Sequence, residues 1–329
     1  MIFLDLRIGF MKSVTTGNRL YTNSKNLTME NVIEIRNLNF GFDSKNLVLK
    51  NVNLNVPKGS IYGFLGANGA GKSTTMRLIM GLFNDDDNAV KVFGEPTAAF
   101  FPEALHRIGS LIDYPAFYDH LSGRNNLKIV CIIRNLDESR IDEALELVGL
   151  TDAGKIKMKK YSLGMKQRLA IALALISNPE LLVLDEPVNG LDPNGMMEMR
   201  ELLKKLNREN GVTILISSHL LQEIDKMVTH LGIISHGEIV FEGSKEDLNN
   251  FYKFQRTRFS VKNAEKYTGL FSPEKEVQLK SENEITLLTN SADEIAAINK
   301  KLVEAGAEVY EIIAAGGLEE WFMEITRQN

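Results

Sequence analysis

The chain has 329 residues, of which 44% are hydrophobic and 25% are charged, a composition typical of a globular protein with a hydrophobic core. Its formal net charge of -5 gives no overall basic surface, so composition does not support nucleic-acid binding. The single cysteine, Cys131, excludes an internal disulfide and is expected to be a small buried apolar side chain in a cytosolic protein.

The beginning of the chain is predicted to be a flexible extension over residues 1–30. Residues 1–11 are apolar, but Asp5 interrupts them and no basic residue precedes them, which argues against a signal peptide. The rest of the extension is rich in Ser, Thr, Asn and Lys. Met29 opens the first well-patterned segment, so a start at Met1 and a start at Met29 both remain open. No segment reaches the roughly 18 to 20 apolar residues that a membrane-spanning helix needs.

Strand and helix patterns then alternate along the chain. Between residues 32 and 56 short apolar runs are separated by turn residues, which predicts strands. Ile61–Leu65 is a further strand, a helix is predicted over Lys72–Phe83, and residues 102–160 are predicted to be helical. The next predicted elements are a strand (Leu181–Leu184), a helix (Met196–Asn210) and a strand (Val212–Ile216). Because both strands are continuous apolar runs, they are expected to lie in a parallel sheet that is covered on both faces.

The pattern changes after Phe251. Short alternating strands are predicted over residues 256–289, followed by an amphipathic helix (Ala292–Ala305), a strand (Glu308–Ile313) and a helix around Trp321. We therefore predict a small separate α+β domain over residues 251–329.

A phosphate-binding loop is predicted between the strand Ile61–Leu65 and the helix that follows it. Its nucleotide-binding residues are Gly66, Ala67, Asn68, Gly69, Ala70, Gly71, Lys72, Ser73 and Thr74. Glycines let successive backbone N–H groups point at phosphate oxygens, and the helix adds its positive end. Lys72 would reach the β- and γ-phosphates, and the hydroxyl of Ser73 would ligate Mg²⁺. The alternative is a glycine turn beside a surface lysine.

Two carboxylates follow the buried strand Leu181–Leu184. Asp185 is predicted to hold Mg²⁺ through its hydration shell, and Glu186 is predicted to act as the general base that polarises the attacking water. On its own, such a pair is more often a capped turn. His219 ends the next strand, where open α/β sheets bind ligands, so a contact with the γ-phosphate is predicted for it. A lone histidine is more often structural.

These motifs, in this order and spacing, resemble the nucleotide-binding subunit of an ABC transporter. The deciding segment runs from Tyr161 to Leu169 and is similar to the signature motif of that family, with Ser162 and Gly164 retained. The resemblance implies that these two residues bind the γ-phosphate of ATP held by a second copy of the chain, so that the working unit is a head-to-tail dimer. Without it, Ser162 would be an ordinary helix N-cap.

Three further residues take their roles from the resemblance. Phe42 stands where the family places an aromatic residue that stacks on adenine, and Asp192 matches the aspartate of a loop that crosses the dimer interface. Asp113 stands where most members have a glutamine that senses Mg²⁺ and the membrane partner. A carboxylate there is similar to the bacitracin-resistance and lantibiotic-immunity branch, which usually has Glu. Direct contact of the shorter Asp113 with Mg²⁺ is therefore left open.

The resemblance implies a fold and a function. The fold is α/β: a P-loop NTPase (RecA-like) core of mainly parallel sheet, with an antiparallel β subdomain and a helical subdomain, over residues 31–250. The function is that of an ATPase that binds ATP and Mg²⁺ and powers a separately encoded membrane permease, for export of an antimicrobial peptide or drug. It would lie in the cytoplasm, on the inner face of the membrane through its permease, and would bind no nucleic acid.

The alternative is an ABC ATPase that acts on nucleic acid or ribosomes. Such relatives usually carry two ATPase cassettes or a long coiled coil, and this sequence has neither. A third hypothesis, compatible with the first, makes the C-terminal domain a regulatory or interaction module.

Overall fold

The computed structural model describes most of the chain. The residues that it describes are 20–21, 30–43, 46–85, 88–97, 103–112, 116–251, 255–271, 275, 277–315 and 318–327. Nearly all of the extension predicted over residues 1–30 lies outside them. The chain divides into two compact units, the first ending at Lys245 and the second beginning at Glu246.

Both units are mixtures of strands and helices. The strands are β1 (Leu20–Tyr21), β2 (Asn31–Gly41), β3 (Leu47–Pro57), β4 (Ile61–Leu65), β5 (Val90–Val92), β6 (Glu95–Pro96), β7 (Ile108–Leu111), β8 (Leu181–Asp185), β9 (Thr213–Ser218), β10 (His230–Ser235), β11 (Glu238–Ser244), β12 (Gln255–Val261), β13 (Val277–Ser281), β14 (Glu284–Thr289) and β15 (Val309–Ala315). The helices are α1 (Lys72–Ile79), α2 (Gly123–Arg134), α3 (Ser139–Leu147), α4 (Leu163–Leu175), α5 (Pro193–Asn210), α6 (Leu221–Asp225), α7 (Lys245–Phe251), α8 (Ala292–Glu304) and α9 (Leu318–Arg327).

The centre of the first unit is a seven-stranded sheet in the order β1-β11-β10-β4-β9-β8-β7. Strands β10, β4, β9, β8 and β7 are parallel. Every residue of β4 and β9 is buried, as expected for a parallel sheet with both faces covered. The α/β class and the mainly parallel sheet predicted from the sequence are confirmed.

A second, antiparallel sheet of the first unit has the order β3-β2-β5-β6. Strands β2 and β3 each contain both buried and exposed residues, and the buried side chains of Ile33, Ile35, Val52 and Leu54 belong to the core of this unit. The strands predicted between residues 32 and 56 are therefore present, as two strands of 11 residues each instead of shorter ones. They belong to an antiparallel sheet of the kind that the resemblance implied.

Two sequence-based predictions in the first unit are corrected. Helix α1 ends at Ile79 and not at Phe83, and the chain turns at Met80 and Gly81. Residues 108–111 form the edge strand β7, within a segment that we predicted to be helical. Strand β7 has only four residues and includes Gly109, so the usual strand signal of a longer apolar run is missing.

The second unit has a four-stranded antiparallel sheet in the order β13-β14-β12-β15. Its hydrophobic core contains Phe259, Ile285 and Leu287 from the sheet and Ile298 and Leu302 from α8. Alternate residues of β12 point into this core, since Thr257, Phe259 and Val261 are buried.

None of the helices in the described part of the chain combines the length and the apolar character that crossing a membrane requires.

Candidate nucleotide site

The sheet brings three predicted segments to one edge. Strands β4, β9 and β8 are neighbours and run in parallel, so their carboxyl ends lie side by side. Leu65, the last residue of β4, pairs with Ser218, and Asp185 pairs with Ser217. The glycine-rich loop, the two carboxylates and His219 therefore emerge from the same edge, where open α/β sheets bind ligands.

The loop after β4 needs its glycines. Gly69 and Gly71 have φ angles of +80° and +113°, which other residues adopt only with strain. A Cβ atom at Gly71 would also lie 2.6 Å from Cδ2 of Leu49. Because Gly71 has no side chain to cap α1, the first N–H groups of this helix are available to an anion.

Lys72 is the first residue of α1, and its side chain is only 7% exposed. Its Nζ atom donates hydrogen bonds to the carbonyl oxygens of Gly66 at 2.7 Å and Ala67 at 3.3 Å. It also lies 3.9 Å from Oε1 of Glu186. Burial lowers the pKa of Lys72, and the negative charges of Glu186 and Asp185 partly offset this effect. The loop thus holds a cation close to two carboxylates.

Ser217 positions the two carboxylates at the end of β8, those of Asp185 and Glu186. Its hydroxyl donates a hydrogen bond to Oδ1 of Asp185, and its Oγ accepts one of 3.0 Å from the backbone N–H of Glu186. Glu186 has a φ angle of +50°, an unfavourable conformation for a residue with a side chain. The hydrogen bonds of Ser217 help to hold the chain in this turn, so that Asp185 and Glu186 have fixed positions.

His219 contacts the same glutamate. Its Nδ1 atom lies 2.8 Å from Oε2 of Glu186, and its backbone N–H donates to that oxygen at 3.4 Å. A bond between Nδ1 and a carboxylate requires the proton to be on Nδ1, which leaves Nε2 of a neutral ring as an acceptor. Only the imidazolium form of His219 would therefore donate to Glu186 and to a phosphate at the same time.

The predicted signature residues lie in a second group, at the start of α4. Ser162 caps this helix, and its Oγ accepts a hydrogen bond of 3.2 Å from the N–H of Met165. A Cβ atom at Gly164 would lie 3.7 Å from Cδ2 of Leu191, so this helix end packs against the segment that precedes Asp192. Asp192 caps α5 and accepts a hydrogen bond of 2.8 Å from the N–H of Gly195.

Phe42 lies in a third group, a cluster of aromatic rings. Its side chain is 67% exposed. Its ring meets those of Phe40 and Phe83 nearly at right angles, at centroid distances of 5.4 and 5.6 Å. Phe42 directly follows β2, and Phe83 lies just beyond the end of α1, so the aromatic cluster connects the end of β2 with the end of the helix that carries Lys72.

Sequence reasoning missed two residues of this region, and one predicted residue lies outside the described part of the chain. Ser217 was not singled out, because its partners, Asp185 and Glu186, lie at the end of the neighbouring strand β8 and no local pattern shows these contacts. Gln167 was not singled out either, but its amide contacts the residue that follows Glu186. Asp113 lies outside the described residues.

Comparison with known proteins places these features in context. A family model described as ABC transporter matches residues 49–189. The bacitracin transport ATP-binding protein BcrA of Bacillus licheniformis is 39% identical over 305 residues, which are 90% of this chain and 98% of that protein. The lantibiotic transport ATP-binding protein SrtF of Streptococcus pyogenes is 41% identical over 234 residues, 69% of this chain and 100% of that protein. A dimeric post-hydrolysis structure of the ATP-binding cassette MJ0796 bound to ADP and Pi has a TM-score of 0.57 and 25% identity, covering 64% of this chain and 98% of that one.

Proposed function

The chain belongs to the ABC transporter ATP-binding proteins and is an ATPase whose hydrolysis is coupled to transport, and from this premise we propose that it powers the export of a peptide antibiotic. One observation carries the proposal: the similarity to the bacitracin transport protein extends over 90% of this chain and 98% of that protein. The similarity to a lantibiotic transport protein supports the same class of substrate.

The proposal assigns the triphosphate to the loop from Gly66 to Thr74. The glycine conformations and the uncapped start of α1 provide N–H groups for phosphate oxygens. Lys72 would exchange its carbonyl partners for the β- and γ-phosphates. Phe42 would stack on adenine, since its exposed ring offers a face to any purine.

Mg²⁺ fits the oxygen donors at this edge. Ser73 supplies a hydroxyl and Asp185 a carboxylate, and Mg²⁺ in such sites is held by one or two carboxylates together with phosphates and waters. When bound, the ion neutralises charge on the β- and γ-phosphates. The hydrogen bond from Ser217 orients the Asp185 carboxylate, which supports its assignment as a ligand, directly or through water.

Glu186 is proposed as the general base. Its carboxylate is held by the ring and the backbone of His219 and lies near the Lys72 ammonium. A fixed carboxylate beside the phosphate loop would accept a proton from the attacking water. His219 would hold Glu186 in place and, as an imidazolium, would donate to the γ-phosphate.

The active unit in this proposal is a dimer bound to a permease. Ser162, Gly164 and the start of α4 would bind the γ-phosphate of ATP in the second copy, because a helix N-terminus favours an anion. Asp192 would lie at the dimer interface. The dimer would sit on the cytoplasmic face of the membrane, attached to a separately encoded permease.

The enzymatic part is tested with Glu186→Gln. This variant should bind Mg-ATP as the wild type does, hydrolyse it roughly 10² to 10⁴ times more slowly, and accumulate as an ATP-bound dimer in size-exclusion chromatography. Glu201→Gln, which alters an exposed carboxylate on α5, is the matched control and should remain active. Hydrolysis by Glu186→Gln at the wild-type rate would remove Glu186 from the proposed mechanism.

The transport part is tested in sensitive bacteria that produce this chain together with the product of the adjacent gene, which is the candidate permease. We expect the minimal inhibitory concentration of bacitracin or of a lantibiotic to rise, and the Glu186→Gln chain to abolish the increase. An unrelated small antibiotic serves as the control compound. No protection from either peptide class, with both proteins present in the membrane fraction, would refute peptide export.

A further inference from the structure

Gln167, on the second turn of α4, has an unusual environment. Its side chain is 2% exposed, and its Nε2 atom donates a hydrogen bond of 2.5 Å to the carbonyl oxygen of Pro187. Because a carbonyl only accepts, this contact fixes which end of the amide faces Pro187. The other end, Oε1, is buried and has no hydrogen-bond partner among the described residues. An unsatisfied buried acceptor destabilises the folded state, so stability alone does not account for an amide at this position.

The contacted carbonyl belongs to the turn that carries Glu186. Pro187 directly follows Glu186, whose φ angle is +50°, and the turn closes with a hydrogen bond of 3.1 Å from the N–H of Asn189 to the carbonyl oxygen of Glu186. Such a backbone conformation persists only where its surroundings hold it in place. Ser217 holds the turn from the strand side, and Gln167 holds it from α4.

Apolar contacts also join α4 to the segment that follows the Glu186 turn. A Cβ atom at Gly190 would lie 3.1 Å from Cδ2 of Leu163, so the first residue of α4 packs closely against the segment after the turn. Leu191 in turn lies beside Gly164. Residues 186–191 and the start of α4 therefore form one packed unit, and the side chain of Gln167 contributes a hydrogen bond from α4 to the turn.

We infer that Gln167 is a positioning residue that links the two ATP sites of the dimer. The inference rests on the proposed function, in which Glu186 serves the ATP of its own subunit and Ser162 serves the ATP of the other. Gln167 lies between these two groups within one chain. Engagement of the other subunit's phosphate at the start of α4 then stabilises the turn that places the base, and the reverse also holds.

The test replaces Gln167 by methionine, which has a similar length and no polar group. This change removes both the hydrogen bond and the unsatisfied Oε1 atom, so folding should be retained. We expect kcat for ATP to fall by about tenfold, equivalent to about 1.4 kcal/mol, while KM and the affinity of the isolated subunit for ATP stay within about twofold. Gln167→Leu provides a second variant of different shape, and the melting temperature of each variant is compared with that of the wild type.

A second measurement separates a link between sites from a role in holding Glu186 alone. In the Glu186→Gln background the base is already lost, so an effect on the ATP-bound dimer must come through α4. We expect Gln167→Met to make that dimer dissociate about tenfold faster. Arg168→Met is the matched control, because it removes the neighbouring side chain's surface ion pair with Glu198 on α5, a kind of contact that contributes little.

These outcomes distinguish a failure of the proposed function from a failure of the role inferred for Gln167. If Glu186→Gln does not trap a dimer, the proposed function fails. If it does trap one, and folded Gln167→Met changes neither kcat nor the dissociation rate, the proposed function stands and the role of Gln167 is refuted. An equal effect of Arg168→Met would also refute it, because α4 would then respond to any change of its surface.

Discussion

At the residue scale, Lys72 is the charge on which the phosphate site depends. It is buried, and its ammonium is balanced by two carbonyl oxygens and two nearby carboxylates. Removing it would leave Asp185 and Glu186 beside a triphosphate with a large excess of negative charge.

We therefore predict that Lys72→Ala weakens Mg-ATP binding by at least about 100-fold, since hydrogen bonds to charged groups in buried sites are strong. Isothermal titration calorimetry measures this affinity. Lys58→Ala, which removes an exposed ion pair with Glu30, is the control and should bind normally. Equal affinity of Lys72→Ala and wild type would invalidate the phosphate-loop assignment.

A substitution of Phe42 tests how the protein recognises the purine ring of the nucleotide. Loss of one stacking ring costs about 1 to 3 kcal/mol, so we expect Phe42→Ala to weaken ATP and GTP binding by similar factors, in the range of roughly 5- to 150-fold. Competition titrations with both nucleotides give the two factors. The control is Leu279→Ala, an exposed apolar residue of the second unit. A loss confined to ATP would mean that another group recognises adenine.

The sequence revealed the residues of this site whose chemistry follows a known spacing, such as Lys72 and Glu186. It did not reveal Gln167, because glutamine in a helix is most often exposed and nothing in the local pattern shows that its amide meets Pro187 from 20 positions away. Ser217 was missed for a related reason, since its partners come from the neighbouring strand. Residues that act through tertiary contacts are the ones that local patterns leave out.

At the element scale, strands β4 and β8 were predictable and the edge strand β7 was not. All five residues of β4 and the first four of β8 are buried, and these apolar runs were a sufficient pattern. Strand β7 contains Gly109, where a Cβ atom would lie 2.1 Å from the carbonyl oxygen of Ala174 on α4. Packing against a helix therefore requires a residue that weakens the local strand signal.

Strand β11 carries a titratable group that makes this element sensitive to pH. Oε1 of Glu242 accepts hydrogen bonds from the backbone N–H and the side-chain Nδ2 of Asn55. Burial raises the pKa of Glu242 from 4.5 to about 7, although the hydrogen bonds of Asn55 and the charge of Arg36 oppose the increase. The folded protein thus binds a proton that the unfolded chain has already released between these two pH values.

The free energy of unfolding should therefore fall as pH rises from about 4.5 to about 7, by up to about 3 kcal/mol. We predict that Glu242→Gln, which cannot ionise, loses this decrease and becomes more stable relative to wild type as pH rises. Urea unfolding at several pH values measures the difference. Glu238→Gln, at an exposed position of the same strand, is the control. Parallel pH profiles of Glu242→Gln and wild type would contradict the prediction.

At the scale of the whole molecule, the proposed ATP machinery is confined to the first unit. Every residue assigned to it, from Phe42 to His219, precedes the boundary at Lys245. Each unit also has a hydrophobic core of its own. The lantibiotic transport protein aligns over its whole length with only 234 residues, whereas the bacitracin transport protein aligns over 305. A protein about as long as the first unit is thus also a transport ATP-binding protein.

We predict that a chain ending at residue 251, which keeps α7 complete, hydrolyses Mg-ATP within about threefold of the full chain, a difference of less than about 1 kcal/mol in activation free energy. Its Glu186→Gln form should still accumulate as an ATP-bound dimer. The measurements are steady-state hydrolysis and size-exclusion chromatography, with the full chain as the reference. A shortened chain that melts cooperatively but has lost hydrolysis or the dimer would show that the second unit takes part in the ATPase cycle. If hydrolysis is retained and protection against peptide antibiotics in cells is lost, the second unit acts at the level of the permease or of regulation, the role that the sequence suggested for it.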